Sequence, residues 1–225
     1  MHEEPHGKSP RPERPEKDGS ETGTRPRRRT QAERTAESDD RMLRAAMKLI
    51  GQRGYRGTSL AAIGEEAGYS RGLINERFGS KDGLLWVLVK NMMRVYGREV
   101  KETQGRIVGI ESLYNLLDNH RRALELDDPI RALYALMFEA MGPIPQLQPE
   151  FQKLHQGFRK DIERMLREGI AAGVFRADIE PVAQAALILG TMRGLAFQFL
   201  LDRAAFSLDT AYSELKQNLR RSLVP

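Results

Sequence analysis

An all-α fold is predicted for this 225-residue chain, with a small three-helix head followed by a larger helical body. Three observations predict it. Beyond residue 38, apolar residues recur mostly at helical spacing. No strand-like alternation of useful length occurs. Glycine, proline and capping residues interrupt the pattern about once per helix length.

Composition narrows the class. The chain is 40% hydrophobic and 30% charged, enough for one or two small domains with a core. It has no cysteine, which excludes a disulfide framework, a thiolate nucleophile and a cysteine zinc site, and fits a cytoplasmic location. The start of the chain is polar and proline-rich, unlike a secretory signal. The longest apolar stretch, 183–201, is interrupted by Gln184, Arg193 and Gln198, which predicts a buried helix and no membrane partner.

Residues 1–36 are rich in Pro, Arg, Glu, Ser and Gly and cannot bury a core, so they are expected to be a disordered tail. Its cluster Arg25, Arg27, Arg28 and Arg29 reads either as a minor-groove arm or as a solubilising tail. The head is placed at 37–83. Met42, Ala45, Ala46, Leu49 and Ile50 make one apolar helical face and Gly54 ends that helix, giving 39–53. A second helix over 59–67 is capped by Thr58 and carries Leu60, Ile63 and Ala67. Gly68 stops it with a left-handed backbone. Ser70 caps a third helix, 70–78, with Leu73, Ile74 and Phe78. The body is placed at 84–225. Ser80 caps a helix from Lys81 to about Gly105, and further helices are predicted at about 109–126, 129–141, 146–172, 180–202 and 208–223. Their breaks are Asp128-Pro129, Gly142-Pro143-Ile144-Pro145, Gly173 and Pro181.

A helix, a glycine-containing turn and a second short helix is the layout that places one helix in a DNA groove. Charge points the same way. Residues 41–82 carry eight basic and four acidic residues, so this stretch holds +4 of the chain's net +5. Such a patch suits a nucleic-acid surface and equally a solvated helical face.

Residues 42–89 resemble the N-terminal domain of TetR-family transcriptional regulators. The resemblance rests on Ala45-Ala46, Gly54-Tyr55, Thr58-Ser59, Ile63, Ala67-Gly68, Ser70, Gly72, Phe78 and Ser80-Lys81, and it covers about a fifth of the chain. Beyond residue 90 only the helical layout and length are similar. The resemblance implies a helix-turn-helix head, a homodimer, double-stranded operator DNA as partner and a small-molecule effector of unknown identity, with no cofactor.

Position then suggests roles. Arg71 and Lys81 each stand in the first turn of a helix, where a cation opposes the helix dipole and a docked phosphate would reverse the sign. Otherwise they are exposed cations tolerated at a cost of a few tenths of a kcal/mol, roughly. The third helix would enter the major groove, with Arg71 against a guanine edge, Gly72 allowing close approach and Leu73 against a thymine methyl or simply packed. Thr58, Ser59, Ser70 and Lys81 would lie on the DNA side, with Thr58, Ser59 and Lys81 holding phosphates. Most family members have tyrosine where this chain has Asn75, and often histidine where it has Arg77. Asn75 would then contact adenine, and Arg77 would replace the phosphate grip.

In the body, Val182, Ala186, Leu189, Gly190, Gly194 and Phe199 on one helix and Tyr212, Leu215 and Leu219 on the last are assigned to the dimer interface. Tyr96, Tyr114, Met137, Phe138, Met141 and Phe158 are assigned to an apolar effector pocket, although they equally suit an ordinary core. His120 and His155 lack metal-ligand spacing and are expected at the surface; no metal site is expected. Arg193 would pair with an anionic ligand or a partner carboxylate, or snorkel to the rim. No catalytic motif occurs, and nothing joins scattered carboxylates such as Glu139 and Asp161. The sequence therefore predicts a ligand-responsive regulator, a repressor that binds a palindromic operator. The alternative is a constitutive or architectural DNA-binding protein without an effector.

Overall fold

Among the residues that the computed structural model describes (30–103, 107–125, 127–142 and 144–225, with all side chains but those of 93, 95–103 and 127), the chain forms nine α-helices and no strand. They are α1 (Gln31–Arg53), α2 (Leu60–Ala67), α3 (Arg71–Phe78), α4 (Lys81–Thr103), α5 (Ile110–Glu125), α6 (Asp127–Ala140), α7 (Gln148–Ala171), α8 (Pro181–Leu201) and α9 (Leu208–Leu223). A 3₁₀ turn, Pro145–Leu147, leads into α7.

The first helix starts eight residues before the expected 39, so residues 31–36 are helix and not disordered tail. A capping box is the reason. The Thr30 hydroxyl accepts from the Glu33 N–H at 3.2 Å, and the Glu33 carboxylate accepts from the Thr30 N–H at 2.7 Å. Residues 1–29, with the arginine cluster, lie outside the described residues.

The head closes over Met42, Ala46, Ile50, Ile63 and Ile74, all fully buried. It joins the body where α1 lies on α6. A methyl group added at Gly51 of α1 would sit 3.1 Å from the Asp128 carbonyl and the Arg131 Cβ, so the two helices meet there almost backbone to backbone. In the body, α7 packs on α8 and α5 on α9.

Helix α8 is apolar on two faces. Ala185, Ile188, Leu189, Met192 and Ala196 are buried, whereas Leu187 is 64% and Leu201 70% exposed, with Val182 and Phe197 also open. By length and composition alone it could cross a membrane, yet only 28% of its apolar window is buried, so it is not the wholly buried helix expected. Helix α9 behaves in the opposite way. Its apolar seam turns inward, with Tyr212, Leu219 and Leu223 buried and Lys216 paired with Asp118 of α5 at 2.6 Å. The face it leaves to solvent is polar, with Ser213, Glu214, Gln217, Arg220 and Arg221.

The turn between α2 and α3 is too tight for a side chain at Gly64, whose added Cβ would fall 2.6 Å from the Tyr69 carbonyl oxygen. Gly64→Ala is expected to destabilise the fold by about 1–3 kcal/mol. Gly72→Ala, where the nearest atom is Ser70 Oγ at 3.7 Å, is expected to be neutral or to stabilise by up to about 1 kcal/mol. Thermal unfolding of the two variants side by side checks this.

Candidate functional site

Three consecutive helices begin on serine caps. Ser59 Oγ accepts from the Ala62 N–H at 3.1 Å, Ser70 Oγ from the Leu73 N–H at 3.2 Å, and Ser80 Oγ from the Gly83 N–H at 3.0 Å. Gly68, at φ 76°, turns the chain from α2 into α3 in a left-handed conformation that suits glycine. Helix α3 seats Ile74 in the core and leaves Arg71, Gly72 and Asn75 exposed. Arg71 and Asn75 are four residues apart and share a face. Arg71 makes no ion pair among the described residues.

Other members of the predicted set are already engaged. Thr58 is only 2% exposed and donates its hydroxyl to the Gly54 carbonyl at 2.9 Å, so Ser59 and not Thr58 caps α2. With its hydroxyl committed inward, Thr58 offers no free donor to a phosphate. Lys81 Nζ stands 4.0 Å from the centroid of the Tyr55 ring, and burial pushes its pKa down. The Tyr55 hydroxyl donates to Asp82, and burial followed by that bond raises its pKa. Arg77 donates to Thr35 Oγ1 at 3.2 Å and faces Asp39 at 3.7 Å, which ties α3 to the early part of α1. Leu73 is half-buried and lines a groove of about 420 Å³ with Tyr69, Arg77, Arg34 and Arg41. Tyr55, Asp82 and Asp39 carry this arrangement; the sequence marked Tyr55 only as part of the Gly54-Tyr55 pair and gave Asp82 and Asp39 no role.

The residues assigned to a pocket are only partly brought together. Met137 and Met141 line a recess of about 450 Å³ with Phe151, His155 and Arg159. Phe138 faces away, 49% exposed, with its ring 5.4 Å from that of Phe197. Tyr114 donates its hydroxyl to the Lys216 carbonyl at 3.2 Å and so belongs to the α5–α9 contact. Phe158 lies under the Arg193 guanidinium, and the Tyr96 side chain lies outside the described ones.

The residues assigned to a partner surface divide as well. Val182, Ala186 and Gly190 are exposed, while Gly194, Phe199 and Leu215 are half-buried. Leu189, Tyr212 and Leu219 are sealed in the protomer's own core, where no partner reaches them. Apolar periodicity told that these faces are buried, not by what.

His120 and His155 are not at the surface as expected. His120 is buried, its Nδ1 2.5 Å from the Tyr212 hydroxyl and its Nε2 without a partner. Burial first, and the charge of Arg193 second, push its pKa down to about 3. His155 is half-buried, and its pKa is lowered by burial and then by Arg193 and Arg159. Among the described residues no cluster has the make-up of a metal site.

Comparison with known proteins adds to this geometry. Residues 42–86 match the family described as bacterial regulatory proteins, tetR family, and residues 120–224 match the C-terminal region of BetI-type transcriptional repressors. The chain is 28% identical to the HTH-type transcriptional regulator CymR of Pseudomonas putida, over 78% of this chain and 85% of that one. Among solved structures, a TetR transcriptional regulator from Chloroflexus aurantiacus is similar with a TM-score of 0.75 at 22% identity, covering 85% of this chain and 98% of that chain. A transcriptional regulator from Saccharomonospora viridis in complex with choline has a TM-score of 0.75 at 23% identity, covering 84% and 99%.

The buried imidazole has a consequence for stability. It stays neutral in the folded chain, whereas the unfolded chain takes up a proton below about 6.5. The stability it contributes is therefore complete above pH 6.5 and is lost as pH falls toward 3. The slope approaches ~1.4 kcal/mol per pH unit for one proton. His120→Gln is expected to flatten the fall in melting temperature over that window, with His155 leaving a residual slope of the same sign.

Proposed function

Because the chain belongs to the TetR family of transcriptional regulators, we propose that it is a repressor that binds a palindromic operator as a homodimer and lets go when a small apolar or amphipathic effector occupies the body. The observation that carries the DNA half of this reading is the α3 face. Arg71 at its first position is exposed and free of ion pairs among the described residues, and Asn75 stands one turn along. Arg71 then reads a guanine edge and Asn75 an adenine. The serine-capped N-termini of α2 and α3 support phosphate docking by their backbone N–H groups. Lys81 and Arg77 act on DNA by holding α3 in register, since both are bound within the head.

One eight-residue helix offers few base contacts. Two heads about 34 Å apart reach successive major grooves on one side of the duplex. The open apolar face of α8 supports pairing of two copies. Val182, Leu187, Phe197 and Leu201 project from it, and among the described residues nothing lies within 4 Å of a Cβ added at Gly190 or Gly194. The polar outer face of α9 favours α8 as the main contact.

Helix α6 supports the coupling. Met137 and Met141 line the recess, Gly51 of α1 packs against the other end of α6, and Glu139 acts electrostatically on Tyr55 and Lys81 in the head. An effector that prefers one setting of α6 shifts the population toward heads that no longer match the groove spacing.

Arg71→Ala is expected to weaken operator binding by about 1–3 kcal/mol, roughly tenfold to a hundredfold, while binding to unrelated DNA changes much less. Titration against the chain's own upstream region at fixed salt measures both; equal losses on the two DNAs would sink the assignment of α3. Leu187→Glu is expected to give a folded monomer by sedimentation with little operator affinity. Apolar ligands that bind and never alter operator affinity would favour a constitutive DNA-binding protein.

A further inference from the structure

The first turns of α1 form a wall that core packing does not require. From Gln31 to Glu37 no apolar side chain is buried, and a helical run without a buried face gains little from packing. Polar contacts hold it instead. The capping box of Thr30 and Glu33 fixes its start, and Arg77 of α3 reaches across to Thr35 at 3.2 Å and to Asp39 at 3.7 Å. This stretch lies ahead of residue 42, where the family match begins.

Between that wall and α3 runs the groove of about 420 Å³. Arg34, Glu37 and Arg41 line it from α1, Tyr69 from the turn before α3, and Leu73 and Arg77 from α3 itself. Three arginines thus face one carboxylate. Arg41 is answered by Glu37 at 3.1 Å and Arg77 by Asp39. Arg34 is exposed, and its side chain makes no hydrogen bond or ion pair among the described residues. The other carboxylates of the stretch, Glu33 and Asp40, do not line the groove; Glu33 closes the capping box and Asp40 pairs with Arg44. The Tyr69 hydroxyl is also unbonded among the described residues. One groove therefore holds an uncompensated cation and a free hydroxyl, donors that suit a phosphate. Leu73 and Arg77, one turn apart, put it on the flank of α3, next to the face that carries Arg71 and Asn75.

We propose that this groove grips the phosphate backbone of the duplex whose major groove α3 enters, with Arg34 and the Tyr69 hydroxyl as the contacts. A helix in the major groove has a phosphate strand on either side of it, and the strand on the α1 side passes the flank of Leu73 and Arg77. Arg41 and Arg77, already paired, shape the groove as positioning residues. The contact fixes register and adds affinity without reading sequence. This rests on the DNA reading above and extends it from α3 to residues outside the matched motif.

The full chain is titrated against its own upstream region and against an unrelated duplex over a series of salt concentrations. Arg34→Gln is expected to weaken both by the same factor, about fivefold to tenfold at about 0.1 M salt, and to reduce the steepness of log affinity against log salt by about 0.9 for each chain bound. Arg34→Lys keeps the wild-type slope. Tyr69→Phe weakens both DNAs alike and leaves the slope unchanged, since it removes a donor and no charge. Arg44→Gln is the control, because Arg44 is also an exposed arginine of α1 but lies outside the groove; it keeps the wild-type slope. A wild-type slope in Arg34→Gln, an equal loss of slope in Arg44→Gln, or wild-type affinity in Tyr69→Phe overturns the proposal. Loss of slope in Arg34→Gln on a chain that never distinguishes the two duplexes keeps the groove and defeats the reading by α3. Selective binding that Arg34→Gln leaves intact at every salt concentration does the reverse.

Discussion

Head and body are held together by a helix crossing that has no room for a side chain. At Gly51, α1 lies against the Asp128 carbonyl and the Arg131 Cβ of α6 at a distance where even one methyl group would crowd. Packed interiors pass on small shifts because they have few voids to absorb them. In the proposed switch, a tilt of α6 would press directly on α1 at this contact. Arg77, Thr35 and Asp39 tie α3 to α1, so the proposed reading face would follow it.

The head is small, and its rigidity depends on polar contacts that span long sequence distances. Lys81 over Tyr55, and Tyr55 bonded to Asp82, join the start of α4 to the loop after α1. Glu139 of α6 faces this group with a buried carboxylate oxygen that has no partner. A carboxylate of α6 thus sits beside the joint between head and body.

The helices were legible because their ends carry local chemistry. Ser70, Ser80, Gly68, Gly173 and Pro181 stand where breaks occur, and the starts of α3, α4 and α9 agree with the pattern. The early start of α1 was also written locally, as Thr30 followed three residues later by Glu33, but the polar run 31–38 has no apolar face to draw attention to it. Thr58 and Ser59 are adjacent candidates for one cap, and only the inward bond from Thr58 to Gly54 decides between them. What periodicity could not convey is which neighbour an apolar face meets. Tyr212 looked available to a second copy and is instead packed beside His120, 92 residues earlier in the chain. The outward face of α3 was readable because Ile74 fixes its inward side; the fates of Arg77 and Lys81 were not, since their partners on α1 and in the loop after it are far away in sequence.

Gly190 and Gly194 lie where an added Cβ would touch nothing among the described residues. Each glycine inside a helix forgoes about 1 kcal/mol relative to alanine, so α8 is less stable than its own packing would allow. In the proposed dimer, folding and assembly pull this helix in opposite directions. A variant selected only for heat tolerance as an isolated chain would fill both positions, and in doing so would roughen the one smooth strip against which a second backbone could lie.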